Sequence, residues 1–109
     1  TERDPATGAV SLVIHDDFGE TRDLDHGLVH GEIARERWTI QPDDPLSAHG
    51  KTHWTQTYVR DGWSVRTETF TAMTSTADTF RLTARIEAYE GDKLVFERDF
   101  DEAIPRNLV

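Results

Sequence analysis

Asp78-Thr79-Phe80-Arg81-Leu82-Thr83-Ala84-Arg85-Ile86-Glu87-Ala88-Tyr89-Glu90 carries an apolar side chain at every even position from 80 to 88 and a polar one at every odd position from 79 to 87. Successive side chains of a β-strand point to opposite faces, so this alternation describes a strand that buries one face and wets the other. No helical stripe fits the stretch equally well. Together with residues 63–73 it forms the hairpin around which the chain is organised, and its apolar face predicts a core centred on Phe80, Leu82 and Ile86.

Turn signals on either side extend the pattern. Asp61-Gly62 separates residues 50–60 from Trp63 and suits the positive φ values of a two-residue hairpin turn. Glu90-Gly91-Asp92-Lys93 makes a second tight turn into residues 94–100, and Pro105 bars a central strand at the end of the chain. The sequence therefore predicts a four-stranded meander over residues 50–100.

Upstream the reading is less regular. Residues 1–8 read as an entry loop with Asp4-Pro5 and Gly8 as breakers, and Val10, Leu12 and Ile14 mark a short strand that stops at Asp16-Asp17. Residues 18–25 suggest a second short strand bent at Gly19. Residues 28–30, bracketed by glycines, read as an irregular edge segment, and residues 33–41 as a strand with Ala34, Trp38 and Ile40 on one face. Pro42-Asp43-Asp44-Pro45 then predicts a turn or corner, because proline fixes φ and removes a donor. Short strands with turn signals every ten or so residues predict an all-β domain, an antiparallel jelly-roll-like sandwich or partly closed barrel. No linker divides the chain.

Composition narrows the function classes. At 109 residues there is room for one domain with one core. The net charge of -9, from 21 acidic against 12 basic residues, comes without a basic stripe, which argues against nucleic acid or an anionic membrane as partner. No apolar run is long enough to span a bilayer. The absence of cysteine excludes disulfides, thiolate nucleophiles and Cys-ligated zinc, and fits a soluble cytoplasmic protein. The chain starts at Thr1 rather than Met, which suggests a piece of a longer protein.

Candidate chemistry is sparse. Ser11, Ser47, Ser64 and Ser75 all lack the G-x-S-x-G elbow of acyl-transfer serines, so no catalytic residue is assigned. His26 and His30, like His49 and His53, are four apart, about 13 Å along a strand and too far for two ligands of one metal. Asp16-Asp17 and Asp43-Asp44 lack the calcium-loop pattern and read as turns. Neither a metal nor any other cofactor is expected. Trp38, Trp54 and Trp63 are the remaining candidates, as core or interface residues or as a ligand platform.

The order of short motifs adds a resemblance. Asp17-Phe18-Gly19, Asp25-His26-Gly27-Leu28, Glu36-Arg37-Trp38, Pro42-Asp43-Asp44-Pro45-Leu46-Ser47-Ala48, Trp63-Ser64-Val65-Arg66-Thr67-Glu68, Glu87-Ala88-Tyr89-Glu90-Gly91-Asp92 and Ile104-Pro105-Arg106-Asn107-Leu108-Val109 together resemble the C-terminal end of cocaine-esterase-like (CocE/NonD) hydrolases, which are related to the X-prolyl dipeptidyl-peptidases. The resemblance implies a parent α/β-hydrolase domain that carries a Ser-Asp-His triad and a jelly-roll sandwich of which this chain is the last half or so. No catalytic residue of the family maps onto a position here. It further implies a non-catalytic packing module of an acyl esterase or aminoacyl-peptidase-like enzyme. Its bare strand edge or Trp63 face would pair two copies as a homodimer, with Phe70 and Ala72 turned towards the core. A carbohydrate-binding module using Trp38, Trp54 and Trp63 is the alternative, and a small barrel with an enclosed apolar cavity a third.

Overall fold

The computed structural model describes residues 1–106 as a single antiparallel sheet with no helix. Its strands are β1 (Glu2–Arg3), β2 (Val10–Arg22), β3 (Val29–Gln41), β4 (Asp44–Arg60), β5 (Trp63–Ser75), β6 (Thr79–Glu90) and β7 (Lys93–Pro105), and each pairs only with its neighbours in sequence. The sheet is not closed into a barrel, since β1 and β7 lie at opposite edges. It measures 54 × 29 × 25 Å, the long axis reflecting strands of 12 to 17 residues from β2 onward. The last three residues of the Ile104-Pro105-Arg106-Asn107-Leu108-Val109 motif lie outside the described residues.

The expected all-β meander is present, with β4 to β7 as its four strands. Asp61 and Gly62 sit at φ 48° and 79°, the doubly positive pair of a tight hairpin turn, and they set Arg60 opposite Trp63. Pro105 closes β7, an edge strand, where a missing amide costs no ladder bond to a further strand.

Three details of the upstream half correct the sequence reading. The first strand does not stop at Asp16-Asp17 but runs to Arg22, absorbing residues 18–22 through a bulge at Phe18-Gly19. Gly19 takes φ 69° there, and its amide donates to Asp17 Oδ1 at 2.8 Å, so glycine and aspartate build a bulge instead of a stop. Residues 29 and 30 open β3 and do not form an irregular edge. Finally, Pro45 lies inside β4: Gln41 pairs with Asp44 and Thr39 with His49, so residues 45–48 bow out of the ladder where no partner needs the proline amide.

Register assigns the faces. Val10, Leu12 and Ile14 of β2 share a face with Trp38 and Ile40 of β3, Trp54 and Tyr58 of β4, the odd residues of β5, and Phe80, Leu82 and Ile86 of β6. This corrects the expected orientation of β5. Four residues separate Ser75 from its partner Phe80, so odd positions of β5 meet even positions of β6. Trp63, Val65 and Met73 therefore join the apolar face, and Phe70 and Ala72 look out of the other side.

Among the described residues nothing lies over either face. Ala34, at 1% exposure, is the only buried hydrophobic residue among those described, whereas Leu12, Trp38, Met73, Leu82, Phe96, Phe100 and Ile104 are exposed. Phe80 and Ile86 are half-buried on the same face as Leu82. The sheet holds itself by its ladders and by cross-strand side-chain pairs, which are the unit of stabilisation on a sheet surface.

Candidate binding groove on the polar face

On the face opposite Trp38, two cross-strand rows of side chains lie side by side. Pairing places His15, Arg35, His53, Phe70, Arg85 and Asp99 in one row from β2 to β7, and Val13, Arg37, Lys51, Ala72, Thr83 and Asp101 in the next. Directly opposed residues stand about 5 Å apart. The two rows line an open groove of about 880 Å³. Its β2 to β4 side is cationic, its middle is apolar at Phe70 and Ala72, and its β7 rim is acidic.

A continuous polar network runs beside this groove. Arg35 Nη1 donates to Thr55 Oγ1 at 3.1 Å and lies 3.3 Å from His53 Nδ1. Since a guanidinium only donates, His53 Nδ1 accepts, which leaves Nε2 to carry the proton and donate to the Glu68 carboxylate. Glu68 also accepts from Thr55 Oγ1 at 2.9 Å and pairs with Arg66 Nε at 3.3 Å, a contact whose angle makes it an ion pair without a hydrogen bond. The His53 ring stacks on Phe70 at 4.3 Å between centroids, and the Arg66 guanidinium lies 4.2 Å over the Tyr89 ring.

From Tyr89 the network continues to the β7 edge. Tyr89 donates its hydroxyl to Glu87 at 2.7 Å, and Arg85 binds Glu87, Glu97 and Asp99. The hydrogen bond from Arg85, then that from Tyr89, holds the Glu87 carboxyl below its ordinary value of 4.5, and the bond to Glu87 pushes the Tyr89 hydroxyl up. Arg81 likewise holds Asp101 below 3.8. Both acids therefore add stability that is complete above their ordinary values and is lost as pH falls through the depressed folded values. Urea midpoints are expected to drop as pH falls below 4.5. In Arg85→Gln the share of that drop due to Glu87 should shrink, since only the Tyr89 hydroxyl then bonds its carboxylate, while the midpoint at neutral pH falls because three carboxylates then face one another. An Arg85→Gln profile parallel to wild type would contradict this.

Of the candidate residues singled out from the sequence, His53 lies in this network and the following are placed elsewhere. Trp38, Trp54 and Trp63 share the apolar face but not one platform: Trp54 is four residues along β4 from Gly50, the partner of Trp38, and six from Arg60, the partner of Trp63. At strand rise these offsets are about 13 and 20 Å. Trp54 stacks on Phe18 with centroids 6.3 Å apart, and Trp38 lies over Gly50. Ser11 is buried and bonds Thr39 Oγ1 at 2.8 Å, and Ser47 Oγ donates to Asp44 O at 2.6 Å while accepting from Gln41 N at 2.7 Å. His26 pairs with Asp23 in a turn, His30 stacks on Tyr58, and His49 bonds Ser47 O. Among the described residues no group of three His, Cys, Asp or Glu is placed to hold a metal ion.

Sequence reading missed the groove because its rows exist only once register is known. It also missed a local repeat, for which a signal was present. Arg3-Asp4-Pro5-Ala6-Thr7-Gly8-Ala9-Val10 and Arg22-Asp23-Leu24-Asp25-His26-Gly27-Leu28-Val29 share an R-D-x-x-x-G-x-V pattern. Both fold into the same loop. The Asp side chain accepts from the amide two residues on at 2.8 Å, the Gly amide donates back to the Asp carbonyl, and the Gly takes φ 74° or 73°. These twin loops set the entries of β2 and β3, and so deliver Val13, His15, Arg35 and Arg37 to the groove. No family model, curated protein or solved structure matches the chain.

Proposed function

We propose that the chain is a non-catalytic β-module of a CocE/NonD-type serine hydrolase, acyl esterase or X-prolyl dipeptidyl-peptidase-like, whose remaining structure covers the apolar face. The observation that carries this reading is that face itself. Val10, Leu12, Trp38, Ile40, Met73, Leu82, Phe96, Phe100 and Ile104 form an apolar surface across the long strands, and a one-layer sheet has nothing of its own to lay over it. A sheet with one apolar face reaches ordinary stability by packing on a second layer. Patches of this extent mark interaction surfaces. The order of the seven short motifs supports the choice of a hydrolase as the covering partner, and the engaged hydroxyls of Ser11 and Ser47 support a structural role.

The test is a chimaera in which this chain replaces the C-terminal β-region of a CocE/NonD-type esterase. The chimaera is expected to be soluble and to hydrolyse p-nitrophenyl acetate, with tryptophan emission shifted to the blue relative to the free chain, which alone should be inert. A chimaera no better than the esterase lacking its β-region would overturn the proposal. So would turnover by the free chain that one Ser→Ala substitution abolishes.

A further inference from the structure

We propose that the groove on the polar face is a binding site for a small amphiphilic carboxylate, its head between Arg35 and Lys51 and its apolar body over Phe70 and Ala72. Charge is the first argument. In a chain of net charge -9, Arg35 and Lys51 make no ion pair among the described residues. Arg35 spends Nη1 on two neutral partners, His53 and Thr55, leaving Nε and Nη2 free of any bond within the described residues. A half-buried guanidinium with spare paired donors matches a carboxylate, which accepts two parallel hydrogen bonds. Arg37 is already taken by Glu2 at 2.9 Å, so the two unspent cations are the ones that flank His53.

The far rim is held away from the head. Asp101 is paired with Arg81, and Arg85 is shared among Glu87, Glu97 and Asp99, so the rim keeps a negative balance, but its acids sit on β6 and β7, across the apolar middle from Arg35 and Lys51. Between rim and cations lies apolar ground: Phe70 is 37% exposed although it stacks on His53, and Ala72, two residues on, shares its face. From Arg35 on β3 to Phe70 on β5 is two strand spacings, about 10 Å, within reach of the head and tail of one small molecule. Volume agrees, since about 880 Å³ is ample for such a ligand. The site lies on the sheet face opposite the one given to the hydrolase, so it does not depend on the proposed function.

Titration calorimetry of the full chain with decanoate tests the site, and tryptophan emission locates it, because Trp38, Trp54 and Trp63 all lie on the other face. Saturable one-to-one binding with unchanged emission is expected. Arg35→Gln and Phe70→Ala should each weaken it at least tenfold, and acetate and decanol should each bind far more weakly than decanoate. Lys51→Gln guards against misfolding, since Lys51 is exposed and bonds nothing in the network: it should weaken decanoate several-fold with an unchanged urea midpoint. Decanol binding as well as decanoate, binding that shifts tryptophan emission, or affinity indifferent to both Lys51→Gln and Arg35→Gln would each overturn the assignment.

Discussion

Gly50→Ala is expected to destabilise the sheet by about 2 to 3 kcal/mol, the upper part of the range for overpacking. Gly50 is buried in β4 directly opposite Trp38, whose indole lies flat across it. A methyl on Gly50 would overlap Cε3 and Cζ3 of that ring and stand 3.1 Å from Cδ2, with no other heavy atom as near. The indole would have to leave, exposing the apolar surface it now shares with the backbone. The control is a reversal of sign. In a Trp38→Ala background the ring that opposes the methyl is gone, and alanine in a strand interior is worth about 0.5 to 1 kcal/mol over glycine, so Gly50→Ala should then stabilise. Urea midpoints of the four proteins close the cycle, and additive effects would show that the ring does not rest on Gly50.

Glu68→Ala should cost about 2 to 3 kcal/mol, because it strands several partners at once and an unsatisfied buried polar group costs about 1 to 3 kcal/mol. The Glu68 side chain is only 15% exposed and joins His53, Thr55 and Arg66. Without it the Nε2 proton of His53 loses its acceptor, and Arg66 loses its paired carboxylate while keeping its place over the Tyr89 ring. Glu68→Gln retains an acceptor oxygen but loses the charge, and about 1 kcal/mol is the expected cost for that partial loss. Equal costs for both substitutions would mean that the hydrogen bonds contribute nothing beyond the charge. Thermal or urea unfolding followed by near-ultraviolet dichroism reads the difference.

Much of the architecture was open to inspection in the chain itself. Alternation from Phe80 to Ala88 and the Asp61-Gly62 turn are local signals, and a strand or a two-residue turn is decided by the few residues that form it. The errors arose where a local signal was ambiguous or the deciding quantity was not local. Asp16-Asp17-Phe18-Gly19 carries the composition of a turn, yet a glycine at positive φ also builds a bulge, and only the partner strand chooses between them. Pro45 reads as a strand breaker until β4 is seen to bow away from β3 beside it. The facing of Trp63 and Phe70 turned on whether an odd or even number of residues separates two partners, and a shift by one exchanges the faces entirely. Arg35, Lys51 and Phe70 converge from three strands for the same reason, so no spacing along the chain could reveal them.

Strand order has one further consequence. Because each strand pairs only with the one before and the one after it, the chain never has to close a long loop to make a native contact. Entropy of loop closure is therefore low for a β-protein, and folding can advance hairpin by hairpin from the Asp61-Gly62 turn towards both edges, faster than a Greek-key sheet of equal size. The same order sets the response to load. With β1 and β7 on opposite edges, tension applied between those edges draws strands off one at a time, like a zipper opening from its ends, and does not shear the whole ladder at once.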